Sequence, residues 1–214
     1  MSHQRKSKIV TPKDEWGTPQ WLFELLDGEF HFDVDAAANE DNAKCLFRFD
    51  DALDRPWYEG DDPELIEKLD EVGIPIARTF FLNPPYSAGN IDRFMQKAYE
   101  ESLKGALVVC LVPCATDTRW WNNYVMRAQE IRFIKGRVRF VGYDEDGKQV
   151  QNSPTFSSCV VIFDPTWSRD SARFVDPKRF RPRIGKTIEQ PKKAGSIACH
   201  GRAHARKDDQ GISL

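Results

Sequence analysis

The 214-residue chain is 40% hydrophobic and 12% aromatic with a formal net charge of −2, a composition suited to one globular domain with a sizeable core. No apolar window approaches the length of a membrane span. The start, MSHQRKSKIVTPKDEW, lacks the apolar stretch of a secretory signal, so a cytoplasmic protein with a short polar arm is expected. Cys45, Cys110, Cys114, Cys159 and Cys199 form no C-x-x-C pair and read as reduced thiols, with Cys110 and Cys114 as core sulfurs. Cys199, His200 and His204 are a weak zinc set, and no metal is expected. The charge is uneven. Residues 165–214 hold 12 Lys and Arg against 5 Asp and Glu, leaving 19 against 28 elsewhere, and this basic tail on an acidic body suits either nucleic-acid contact or a solvated terminus.

In chain order, Thr18 reads as an N-cap and Pro19 as the first helical residue before the amphipathic run Trp21 to Leu26. Phe30, Phe32 and Val34 alternate with His31, Asp33 and Asp35, the period of a strand that ends in an acid and three alanines. Asp62-Pro63 opens a helix through Glu71, stopped by Gly73. Ala77 to Leu82 is a buried strand ending in Asn83-Pro84-Pro85-Tyr86. A helix follows over Ile91 to Leu103, with Asn90 as cap and Gly105 as stop. Ala106 to Val112 is a continuous apolar run of the central-strand type.

Asp117 or Thr118 caps a helix to about Arg127. Glu130 to Ile134 is a strand that Arg137 to Val141 continues or pairs with, Gly142 to Ser153 is a polar loop, and Ser158 to Phe163 is the last strand. The alternation predicts an α/β fold: a mostly parallel sheet with helices on both faces and an antiparallel strand near its edge. In such sheets ligands bind outside the carboxyl ends of the strands. That rule brings Asp35 to Ala37, Asn83 to Tyr86 and Pro113 to Asp117 to one rim.

Two consecutive prolines lack backbone N–H groups and have fixed φ, so Asn83 to Tyr86 is either a plain turn or a stiff corner. An amino group on an aromatic ring is a poor nucleophile because its lone pair is delocalised. Two acceptors binding its hydrogens draw the nitrogen towards a tetrahedral shape and free the lone pair. The Asn83 side-chain oxygen and the Pro84 carbonyl suit that task, and Tyr86 offers a stacking face for a flipped base. Such chemistry needs no strong general base.

Together Trp16-Gly17-Thr18-Pro19, FDVDAAA, NPPY, the TDTRWW run of Thr116 to Trp121 and FIKGRVRF resemble the phage-type DNA N6-adenine methyltransferases, the Dam family of bacteriophages and prophages, over roughly residues 14 to 164. The resemblance implies a Rossmann-like methyltransferase fold, S-adenosylmethionine as methyl donor, adenine in double-stranded DNA as acceptor, and a bacterial host cytoplasm as the setting. It makes Asn83, Pro84, Pro85 and Tyr86 the catalytic motif. By the same resemblance Asp35, followed by Ala36, opens the methionine-side cofactor loop. Trp16, Thr18 and Pro19 close over the cofactor, and Asp51 approaches its adenine amine.

One departure is that Ala36 to Asn42 contains no glycine, where many methyltransferase cofactor loops are glycine-rich. The interval from Asp35 to Asn83 is also short, leaving no room there for a separate target-recognition domain, so DNA contacts fall to other segments. Lys135, Arg137 and Arg139 around Gly136 suit phosphate contact or an ordinary charged sheet edge. Arg119 suits contact with the duplex, while at least one of Trp120 and Trp121 is expected in the core. The expected organisation is a flexible arm over 1–13, the catalytic domain over 14–164 and a basic, disordered tail over 165–214. The alternatives are a methyltransferase acting on RNA or a protein glutamine amide, and an inactive DNA-binding relative.

Overall fold

The computed structural model describes residues 12, 14–57, 67, 71, 79–87, 89–166 and 183–191. Helix α1 (Gln20–Phe30) leads to β1 (Val34–Asp35) and β2 (Phe47–Arg48). Next come β3 (Thr79–Leu82), α2 (Asn90–Lys104), β4 (Leu107–Pro113), α3 (Arg119–Asn123) with a 3-10 turn (Val125–Arg127), and β5 (Glu130–Phe133). The hairpin strands β6 (Phe140–Tyr143) and β7 (Gln149–Asn152), then β8 (Ser158–Phe163) and β9 (Arg183–Ile184), complete the order. The main sheet runs β2-β1-β3-β4-β8-β5-β9, and β6 pairs with β7 separately.

β2, β1, β3 and β4 pair in parallel, β8 runs antiparallel to both β4 and β5, and β5 pairs in parallel with β9. The reversed strand therefore lies inside the sheet rather than near its edge. All six residues of SCVVIF are buried, which is the signature of an interior strand covered on both faces.

Alternation along the strands divides the core in two. Phe80, Leu82, Val108, Cys110, Val161 and Phe163 meet Phe94 and Met95 of α2 and Trp120 and Trp121 of α3 on one face. Phe81, Val109, Leu111, Val160 and Ile162 meet Leu22, Phe23 and Leu26 of α1 on the other, so helices cover both faces. Both tryptophans are buried, their rings 5.8 Å apart and inclined at 63°.

Several local expectations shift. Pro19, not Thr18, caps α1: the amides of Leu22 and Phe23 donate to the Pro19 carbonyl, and no side chain caps the helix. Gly89, at φ 89°, precedes α2, and Asn90 becomes its first residue, donating from its side chain to Ser87 Oγ. Thr118 does cap α3, its hydroxyl accepting from the Trp121 amide at 3.4 Å. The helix expected over Asp62 to Glu71 lies outside the described residues except Glu67 and Glu71, which are helical.

The stretch expected to extend or pair with β5 instead supplies β6, and the expected polar loop contains β7. Polar Gln149, Gln151 and Asn152 hide this strand from any hydrophobic period. The hairpin is closed by turn chemistry: Asp144 Oδ1 accepts from the amides of Asp146 (3.1 Å) and Lys148 (2.9 Å). Part of the segment expected as a disordered tail is also built in. β9 pairs with β5, Ile188 is buried, and Gln190 Nε2 donates to the carbonyls of Lys135 (2.9 Å) and Arg137 (3.0 Å) around Gly136, whose φ is 83°. Cys199, His200 and His204 lie outside the described residues, among which no cluster of three or more metal-binding side chains occurs. The four described cysteines are free thiols.

Candidate active site

The parallel register of β1, β3 and β4 sets their carboxyl ends on one rim, so Asp35, Asn83 and the segment after Pro113 converge as expected. From β1 the chain steps outward to β2 and then returns to the opposite neighbour, β3. The strand order thus reverses between β1 and β3, the position at which open α/β sheets bind ligands.

Beyond β3 lies a pocket of about 230 Å³ whose walls include Asn83, Pro84, Tyr86, Trp16, Phe140 and Phe156. The N-terminal segment runs beside it as a strap. Gly17 and Val141 exchange backbone hydrogen bonds of 2.8 and 2.9 Å, tying the strap to the hairpin. The Trp16 carbonyl accepts from Asn83 Nδ2 at 3.2 Å, and Asp14 Oδ1 accepts from the Ser87 amide at 3.1 Å. Because Nδ2 must face Trp16, the Asn83 amide has one orientation, with Oδ1 turned to the Tyr86 hydroxyl at 2.7 Å.

Tyr86 is anchored at both ends. Its hydroxyl is 3.0 Å from the Leu111 carbonyl as well as 2.7 Å from Asn83 Oδ1, so one proton serves two acceptors. Its ring meets Phe140 (5.9 Å, 81°) and Phe156 (5.5 Å, 77°) edge to face. Burial raises the phenol well above its ordinary pKa, keeping it neutral and able to donate.

On the β1 side, Asp35 is 3% exposed and Ala36 is buried. Asp35 Oδ2 accepts from the Lys44 amide at 3.0 Å. Burial pushes this carboxyl up to about 6, against the opposing pull of the Lys44 and Ala37 amides and the Lys44 charge. Thr18, displaced from the capping position, holds a buried hydroxyl with no hydrogen-bond partner among the described residues. Asp51 is exposed and ion-paired with Arg55 at 3.2 Å.

Among the expected DNA contacts, Arg119, Arg137 and Arg139 are exposed, and Lys135 pairs with Glu189 at 3.2 Å. Asp14, Phe140, Asn152 and Phe156 line the pocket without having been singled out from the sequence. An aromatic close to Pro154 and just ahead of an interior strand was the available signal for Phe156. Nothing local marked Asp14.

No curated protein and no solved structure matches the chain. A family model described as DNA N-6-adenine-methyltransferase (Dam) matches residues 5–181, which include the strap, Asp35, the Asn83 corner and the hairpin. The chain belongs to the DNA N-6-adenine-methyltransferase (Dam) family.

Proposed function

We propose that this protein is a site-specific DNA adenine-N6 methyltransferase, with a Rossmann-like fold, that uses S-adenosylmethionine and acts on an adenine turned out of the duplex. The observation that carries this reading is the Asn83 amide, held in one orientation by the Trp16 carbonyl at the mouth of an aromatic-walled pocket. At about 230 Å³ the pocket suits one nucleobase rather than a larger ligand.

Asn83 Oδ1 and the Pro84 carbonyl accept the two N6 hydrogens, and the stiff proline pair holds both acceptors without reorganisation. When the amine arrives, the Tyr86 proton rests on the Leu111 carbonyl, leaving the lone pairs of Asn83 Oδ1 to the substrate. Trp16, Tyr86, Phe140 and Phe156 offer aromatic surface to the base and exclude water from the amine.

S-adenosylmethionine, when bound, supplies a methyl group on a sulfonium. Asp35, Ala36, Trp16, Thr18 and Pro19 fit as its holders. The buried Asp35 carboxylate favours a cationic partner, and the unpartnered Thr18 hydroxyl favours a polar one. Asp51 joins this set on the family resemblance alone. Exposed Arg119, Arg137 and Arg139, with Lys135, contact phosphates of double-stranded DNA and set its register rather than read its sequence. The test is labelled methyl transfer from S-adenosylmethionine to unmethylated duplex DNA, RNA and protein, followed by digestion. N6-methyladenine in DNA is expected, and label confined to RNA or protein overturns the reading.

A further inference from the structure

The Asn83 corner is electrically neutral, yet methylation of an aromatic amine passes through a cation. As the N–C bond forms and the S–C bond of the sulfonium donor breaks, positive charge moves from sulfur to N6. It stays there until one N–H proton leaves. Asn83 Oδ1 and the Pro84 carbonyl accept hydrogen bonds but offset no full charge, and Tyr86 is a neutral donor. Among the described residues lining the pocket, Asp14 is the one acid. Its Oδ1 is held by the Ser87 amide, immediately after the motif, while no donor among the described residues is bonded to Oδ2. The carboxylate is thus fixed against the motif by one oxygen and has the other to offer.

We propose that Asp14 is a catalytic residue: Oδ2 faces the amine and stabilises the positive charge that develops on N6 until one of its protons is lost to solvent. This rests on the reading of adenine-N6 methylation above. A preorganised charge aimed at charge that appears only in the transition state lowers the barrier without tightening ground-state binding. It follows that Asp14 acts on the rate and not on DNA affinity.

Asp14→Asn keeps an oxygen for the Ser87 amide and replaces the charged Oδ2 with a neutral NH2 group. Single-turnover methyl transfer to unmethylated duplex DNA is measured for wild type, Asp14→Asn and Asp14→Glu, with filter-binding affinity for the same DNA and the thermal unfolding midpoint of each protein. The Asn variant is expected to lose on the order of 10²-fold in rate, the scale of removing one preorganised charge-stabilising group. Its affinity and unfolding midpoint stay unchanged, and the Glu variant recovers part of the rate. A wild-type rate in Asp14→Asn overturns the assignment. So does a joint loss of rate, affinity and unfolding midpoint, which reduces Asp14 to an anchor for the Ser87 loop. A wild-type protein that labels no adenine overturns the proposed function itself.

Discussion

The carboxyl ends of β1 and β3 are neighbours in one sheet, but their chemistry is opposite. β1 ends in Asp35, a charge 3% exposed and pushed up to about 6 by burial. β3 leads directly into Asn83, a neutral amide locked between Trp16 and Tyr86. A carboxylate whose charge is disfavoured by burial suits a cationic ligand. A neutral acceptor suits a weakly basic amine, because it can bind the hydrogens without a charge of its own to desolvate. Under the proposed function, that difference assigns the β1 end to the methyl donor and the β3 end to the methyl acceptor.

The sharpest way to break this contrast is Asn83→Ala. It is expected to lower kcat on the order of 10²- to 10³-fold, the scale of removing one preorganised polar group, while donor binding persists. Labelled transfer and equilibrium dialysis with the donor measure the two arms, and full activity in this variant would refute the acceptor role.

Asp35→Asn should move two properties in opposite directions. With a folded pKa of about 6 against an ordinary 3.8, Asp35 is more easily protonated in the folded state. Its burial penalty is therefore absent below about pH 4 and complete above about pH 6, where it reaches about 3 kcal/mol. Urea denaturation is expected to show Asp35→Asn stabilised by up to that amount at pH 8 and unchanged at pH 4, with weaker donor binding at pH 8. Equal stabilisation at both pH values would contradict the buried charge.

A smaller effect is expected from Tyr86→Phe, which keeps the ring against Phe140 and Phe156 and removes the hydroxyl shared by Asn83 and Leu111. A loss of about 1 kcal/mol, or up to tenfold in kcat, corresponds to one neutral hydrogen bond. The smallest is Arg137→Ala, read as the slope of log affinity for duplex DNA against log salt. Loss of one phosphate contact should shallow that slope by about 0.9. An unchanged slope would leave Arg137 as part of a charged sheet edge.

Much of the frame was legible because its signals are local. Apolar runs predicted β3, β4 and β8, and the double proline marked the corner without reference to anything else in the chain. The missing pieces were distant or polar. The Asn83–Trp16 and Ser87–Asp14 hydrogen bonds span 67 and 73 residues, and no residue type announces such a partner. β7 is polar at three of its four positions, so it carried no hydrophobic period to recognise. β9 is two residues long and becomes a strand through pairing with β5.

Sequence alone determined that a rigid pair of acceptors with an aromatic neighbour stands at the end of a buried strand, because proline geometry and apolar patterning act within a few residues. Tertiary structure decided what that corner faces. Chain reversal placed β8 inside the sheet, and the strap between the corner and the hairpin oriented Asn83. The same strap left Thr18 without a partner and brought Asp14 to the pocket. Those outcomes depend on which distant groups satisfy one another's hydrogen bonds, and folding settles that for the whole sheet at once.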